Sequence, residues 1–88
     1  MADIQIYTKG WCPYCTKAKS LLKAKGLSFR EIDVTADPAA EQNMVARSGL
    51  RTVPQVFIDG ASIGGFDALA SLNASGELDR RLGLPTGE

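Results

Sequence analysis

The 88-residue chain contains no histidine and only two cysteines, Cys12 and Cys15. A typical four-ligand zinc site of nitrogen and sulfur donors would therefore have to span two chains or recruit carboxylates, and no resident metal is expected. A structural staple is equally poorly served, because bridging cysteines three positions apart removes little chain entropy from the denatured state. Long apolar runs are missing too: nothing approaches the ~18 residues of a membrane span. The first residues, Met1-Ala2-Asp3-Ile4, lack a basic stretch leading into an apolar one, so no signal peptide and no membrane partner are predicted. Repeats, linkers and low-complexity segments are not found, and the length suits a single domain over residues 1–88 with a small core. Net charge is zero. With no overall basicity and no aromatics interleaved among the basic residues, nucleic acid is not an expected partner.

The charge that is present is unevenly placed. Residues 1–30 hold Lys9, Lys17, Lys19, Lys23, Lys25 and Arg30 against Asp3 alone, while the remainder holds four basic and nine acidic residues. The lysines of the first half read either as a solvated helix face or as a field steering an anionic thiol substrate.

The two cysteines form Cys12-Pro13-Tyr14-Cys15, placed where a short apolar strand, Ile4 to Thr8, runs into an amphipathic helix from Pro13 to Lys25. Proline fits a first helical turn, which puts Cys12 at the helix start, facing unpaired backbone N–H groups. Those groups, the helix dipole and nearby Lys9 predict a lowered thiol pKa and make Cys12 the expected attacking sulfur. Cys15 follows one turn later on the same side, suited to a disulfide that opens and closes. Two cysteines so spaced point to a redox role in a reducing compartment, with the cytoplasm as the expected location.

Ser28 to Val34 reads as a second strand, giving a βαβ unit with parallel strands. Asp37-Pro38 predicts a helix start, with the helix running to Ser48, burying Met44 and Val45, and closing at Gly49. Val56 to Ile58, Asp59-Gly60 and Ala61 to Ile63 predict an antiparallel hairpin on a type I′ turn. Asp67 is expected to cap a helix reaching Asn73, followed by a short helix packed through Leu78 and Leu82 and a frayed end from Gly83. The predicted class is α/β: a four-stranded mixed sheet flanked by helices.

Three blocks carry a resemblance: Lys9-Gly10-Trp11-Cys12-Pro13-Tyr14-Cys15, Thr52-Val53-Pro54-Gln55-Val56-Phe57, and Gly64-Gly65-Phe66-Asp67. In this order and spacing the chain resembles a dithiol glutaredoxin, which implies the thioredoxin-like fold and glutathione-dependent thiol–disulfide exchange. Thioredoxin itself usually has Gly-Pro between its cysteines and lacks the Gly-Gly-x-Asp block. The resemblance implies catalysis by Cys12, with Cys15 resolving. It also implies glutathione as co-substrate without a tightly bound cofactor. Glutathionylated or disulfide-bonded proteins are the implied partners, with glutathione reductase and NADPH acting indirectly, and a monomer is expected.

For glutathione, the resemblance implies that Thr52, Val53 and Pro54 form a backbone-pairing segment with a cis Val53–Pro54 bond. Gly65, Phe66 and Asp67 would receive the γ-glutamyl end, the Asp67 carboxylate taking the ammonium. Lys9 is the candidate for the glycine carboxylate and Arg47 a second one, the alternatives being a solvated loop lysine and an exposed helix-end arginine. Tyr14 would cover the mixed disulfide, and Trp11 is a packing or docking residue. Phe66 departs from the pattern, since many relatives carry cysteine, serine or threonine there. The other reading is a dimer holding an iron–sulfur cluster through Cys12 of each subunit and two glutathiones. Cluster carriers of this kind more often have one cysteine followed by glycine, phenylalanine and serine, which Pro13, Tyr14 and Cys15 do not match.

Overall fold

In the computed structural model, residues 3–83 are described. Four strands, β1 (Ile4–Thr8), β2 (Arg30–Asp33), β3 (Gln55–Ile58) and β4 (Ala61–Gly64), form one sheet in the order β2-β1-β3-β4. β1 and β2 are parallel, as a βαβ crossover requires, while β3 is antiparallel to both β1 and β4. The helices are α1 (Pro13–Ala24), α2 (Pro38–Ser48), α3 (Phe66–Ser75) and α4 (Glu77–Leu82).

Strand alternation splits the core. Ile4 and Ile6 of β1 and Val56 and Ile58 of β3 meet Ala18, Leu22, Leu69 and Leu78 from α1, α3 and α4. Tyr7 and Phe57 face the other way and pack with Val34 and Met44 under α2. Each fully buried Leu, Ile or Phe side chain stabilises the fold by about 1.5–3 kcal/mol, so the sheet is held from both faces.

Local chemistry matches expectation at most element ends. Asp37 accepts from the Ala40 N–H at 3.1 Å and Pro38 opens α2, while Gly49 closes it in the left-handed conformation. Asp59 and Gly60 both have positive φ, 51° and 84°, as a type I′ turn demands. β2 is shorter than expected, four residues from Arg30, because pairing with β1 begins at Gln5 opposite Arg30. The expected fraying lies in part beyond the described residues.

The start of α3 is also corrected. α3 begins at Phe66, not after Asp67, and its N-cap is Gly65, with no side-chain capping bond. Gly64 at φ 117° turns the chain early, and the Gly65 carbonyl accepts from the Leu69 N–H at 3.1 Å. Asp67 therefore sits within the first helical turn with its carboxylate exposed rather than spent on the backbone.

Candidate active site and glutathione groove

Cys12 is the N-cap of α1: its backbone is extended and its sulfur accepts from the Cys15 N–H at 3.2 Å. Pro13 follows at the first helical position, where its missing N–H costs nothing. The loop before Cys12 is tied down by the Gly10 N–H, which donates to the Thr35 hydroxyl at 2.7 Å. The Cys12 sulfur is partly exposed and lies 3.8 Å from the Val53 carbonyl, while Cys15 is 2% exposed. Both are free thiols.

Burial, together with the hydrogen bond to Cys12, pushes the Cys15 thiol up to about 11, against the opposing pull of the Lys9 backbone N–H. At neutral pH Cys15 is a protonated, inaccessible thiol. Iodoacetamide at pH 7 is therefore expected to add one group to the folded protein, on Cys12, and a second only after unfolding or near pH 11. Mass analysis of the digested protein checks this; two modified cysteines under native conditions at pH 7 would contradict it.

Beside Cys12 runs a groove of about 520 Å³. One wall is the Leu50 to Pro54 segment, containing Thr52, Val53 and the cis Val53–Pro54 bond; the other is Gly64 to Ala68 with the start of α3. Tyr14 closes the end nearest the cysteines, its ring 6.2 Å from that of Phe66, so two aromatic faces meet there. The first-turn N–H groups of α3 have no partners within the helix and are available to an anion. The structure thus brings Tyr14, Thr52, Val53, Pro54, Gly65, Phe66 and Asp67 to one groove.

Two candidates stand elsewhere. Lys9 is outside the groove lining and lies 3.5 Å from Glu41 in a half-exposed ion pair. Arg47 is a correction: it is turned away under α2, where it donates to the Tyr7 hydroxyl at 3.0 Å and to Gln5 at 2.9 Å. Its guanidinium stacks 4.1 Å from the Phe57 ring centroid, so its charge is engaged on the face of the sheet opposite α1. Trp11 is 88% exposed, which leaves docking and removes packing from its two readings.

Sequence reasoning missed Leu50, Gly64 and Ala68 as groove residues, and it missed Gln55 behind the groove. Gln55 is 1% exposed and its amide donates to the Thr52 carbonyl at 3.0 Å and hydroxyl at 3.1 Å, holding the Thr52-Val53 segment from behind. A polar residue opening an otherwise apolar strand was the available signal.

A Cys-x-x-Cys pair capping the first helix of such a sheet, against a cis-proline loop, defines a thioredoxin-like dithiol oxidoreductase. The family is narrower: the glutaredoxin family model matches residues 4–63, and the chain belongs to the glutaredoxins. It is 52% identical to glutaredoxin 3 of Escherichia coli K12 over 79 residues, covering 90% of this chain and 95% of that protein. It is 42% identical to a glutaredoxin of Pseudomonas aeruginosa, covering 93% and 98%. The crystal structure of a buckwheat glutaredoxin–glutathione complex superposes with a TM-score of 0.85 at 29% identity, over 93% of this chain and 77% of that one. The solution structure of Brucella melitensis glutaredoxin gives 0.81 at 46% identity, over 100% and 94%. The chain is a glutathione-dependent thiol–disulfide oxidoreductase.

Proposed function

We propose that this glutaredoxin removes glutathione from protein mixed disulfides through Cys12 alone, and reduces some protein disulfides through Cys12 and Cys15 together. The observation that carries this reading is a partly exposed sulfur at a helix start beside a groove with a free helix N-terminus, while the second sulfur is buried one turn behind.

In the one-thiol route, the Cys12 thiolate attacks the glutathione sulfur. The Cys12–glutathione bond forms as the bond to the protein sulfur breaks, and the protein thiolate leaves and takes a proton. A second glutathione thiolate then attacks the adduct, restoring Cys12 and releasing glutathione disulfide, which glutathione reductase returns to glutathione with NADPH. Val53 offers its backbone to the glutathione cysteine as an added strand, a pairing that needs no particular side chain. The α3 N-terminus receives the γ-glutamyl carboxylate and Asp67, free of capping duty, accepts from the ammonium. Lys9 meets the glycine carboxylate; an exposed pair such as Lys9–Glu41 is worth only about 0–1 kcal/mol and is readily exchanged. Tyr14 and Phe66 cover the apolar centre of the tripeptide. The protein acts in the cytoplasm as a single-domain monomer on glutathionylated and disulfide-bonded proteins, with no tightly bound cofactor.

The test is turnover of a glutathionylated peptide coupled to glutathione reductase and NADPH, comparing wild type with Asp67→Asn. Removing one exposed charge pair is expected to raise KM for glutathione about three- to tenfold with kcat little changed, the signature of lost binding without lost chemistry. An unchanged KM would remove Asp67 from the site.

A further inference from the structure

On the α1 face of the sheet β1 presents Ile4, Ile6 and then Thr8, and the pattern changes from apolar to polar at its last position. That position is the last of β1, from which the chain runs through a four-residue loop into α1. Thr8 is 1% exposed and its hydroxyl donates to Glu31 on β2 at 2.7 Å. The same Glu31 oxygen accepts from the Lys19 ammonium at 3.0 Å. Lys19 is four residues after Cys15 on α1, one turn along the same face, where side chains are neighbours. A lysine that reads in sequence as part of a solvated face is thus drawn to the seam of α1, β1 and β2, with its side chain 27% exposed.

The groups around Cys15 are few. On α1 there are Cys12 and Lys19, and just after β1 the Lys9 backbone N–H; Glu31 and Asp33 of β2 act on Lys19. The hydrogen bonds from Thr8 and Lys19 hold the Glu31 carboxyl below the usual carboxylate range, so it stays charged and keeps Lys19 in place at neutral pH. Burial opposes a Cys15 thiolate, while the Lys9 N–H and the Lys19 charge favour it. Once Cys12 is bonded to a target sulfur it carries no charge, and the repulsion it would offer to a second thiolate is gone.

We propose that Lys19, oriented by Glu31 and Thr8, is the positioning charge for the resolving step, stabilising the Cys15 thiolate as it attacks Cys12 of the mixed disulfide with a target protein. In that step the Cys15 thiol gives its proton to solvent and its sulfur bonds to Cys12. The Cys12–target bond breaks, and the target thiolate leaves and is protonated; the dithiol is oxidised and the target reduced by two electrons. The inference rests on the two-thiol route proposed above, and the one-thiol route does not involve Lys19.

The experiment measures two reactions of the full chain across pH: reduction of a peptide with one intramolecular disulfide, and deglutathionylation of a peptide. Lys19→Gln is expected to slow the first about three- to tenfold at pH 7 and move its rise to higher pH, leaving the second unchanged. Lys19→Arg, which keeps the charge, should restore the wild-type rate. Equal losses in both reactions, an unchanged disulfide rate, or no restoration by arginine would overturn the inference alone. If Cys15→Ser still reduced the disulfide peptide, the two-thiol route itself would fall, and this inference with it.

Discussion

Replacing Cys12 with serine is expected to abolish both reactions, lowering turnover of a glutathionylated peptide by roughly 10³-fold or more. A serine hydroxyl does not ionise near neutral pH and forms no exchangeable bond to a sulfur, so neither the glutathione adduct nor the target adduct can arise. The fold should survive, because serine is a favoured helix cap and can accept the Cys15 N–H in place of the sulfur. Coupled NADPH consumption measures the loss, and an unaltered thermal transition shows that it is chemical. Retained glutathione-dependent turnover would place the nucleophile elsewhere.

Cys15→Ser should divide the activities that Cys12→Ser removes together. Deglutathionylation needs only one sulfur at the protein, so this variant is expected to keep most of the wild-type rate there. Reduction of an intramolecular disulfide should fall to the background rate, since nothing buried behind Cys12 can displace the target. The stalled mixed disulfide between Cys12 and the target should then be visible as a covalent adduct by mass. Loss of both reactions in a folded variant would make both thiols obligatory and reopen the assignment of the glutathione groove. The expected asymmetry follows from the two environments: Cys12 partly exposed at the helix cap, Cys15 almost wholly enclosed beneath it.

The fold changes the meaning of the charge pattern. Three of the six basic residues in the first thirty positions pair with acids from later in the chain: Lys9 with Glu41, Lys19 with Glu31 and Lys25 with Asp79, the last at 2.6 Å. Lys17 instead lies 5.1 Å over the Tyr14 ring at the mouth of the groove. What reads along the chain as a basic half and an acidic half becomes a set of cross-links from the loop before α1, from α1 itself and from its C-cap to α2, β2 and α4. A steering field towards Cys12 is correspondingly weaker than the linear count suggests, and individual lysines acquire individual tasks.

The chain by itself determined the parts whose physics is local. Proline after Cys12 marks a helix start whatever surrounds it, and two cysteines one turn apart in a chain without histidine point to a redox pair. Asp37-Pro38 and Asp59-Gly60 set their cap and turn through backbone preferences of those residues, and the apolar positions of β1, α1 and β3 followed the periods of strand and helix. The groove segments were legible as motifs because their residues are contiguous. Tertiary structure alone decided what depends on residues distant in sequence. Arg47 belongs to the Tyr7–Phe57 layer under α2 because the sheet brings an aromatic face and a hydroxyl to it. Asp67 is left free because a tight turn at Gly64 starts α3 two residues earlier and gives the cap to Gly65. Lys19, one turn after Cys15 on α1, is tied to Glu31 and Thr8 because a parallel crossover lays β2 next to β1. Charge pairing and burial are properties of distances across the fold, and periodicity along the chain carries no record of them.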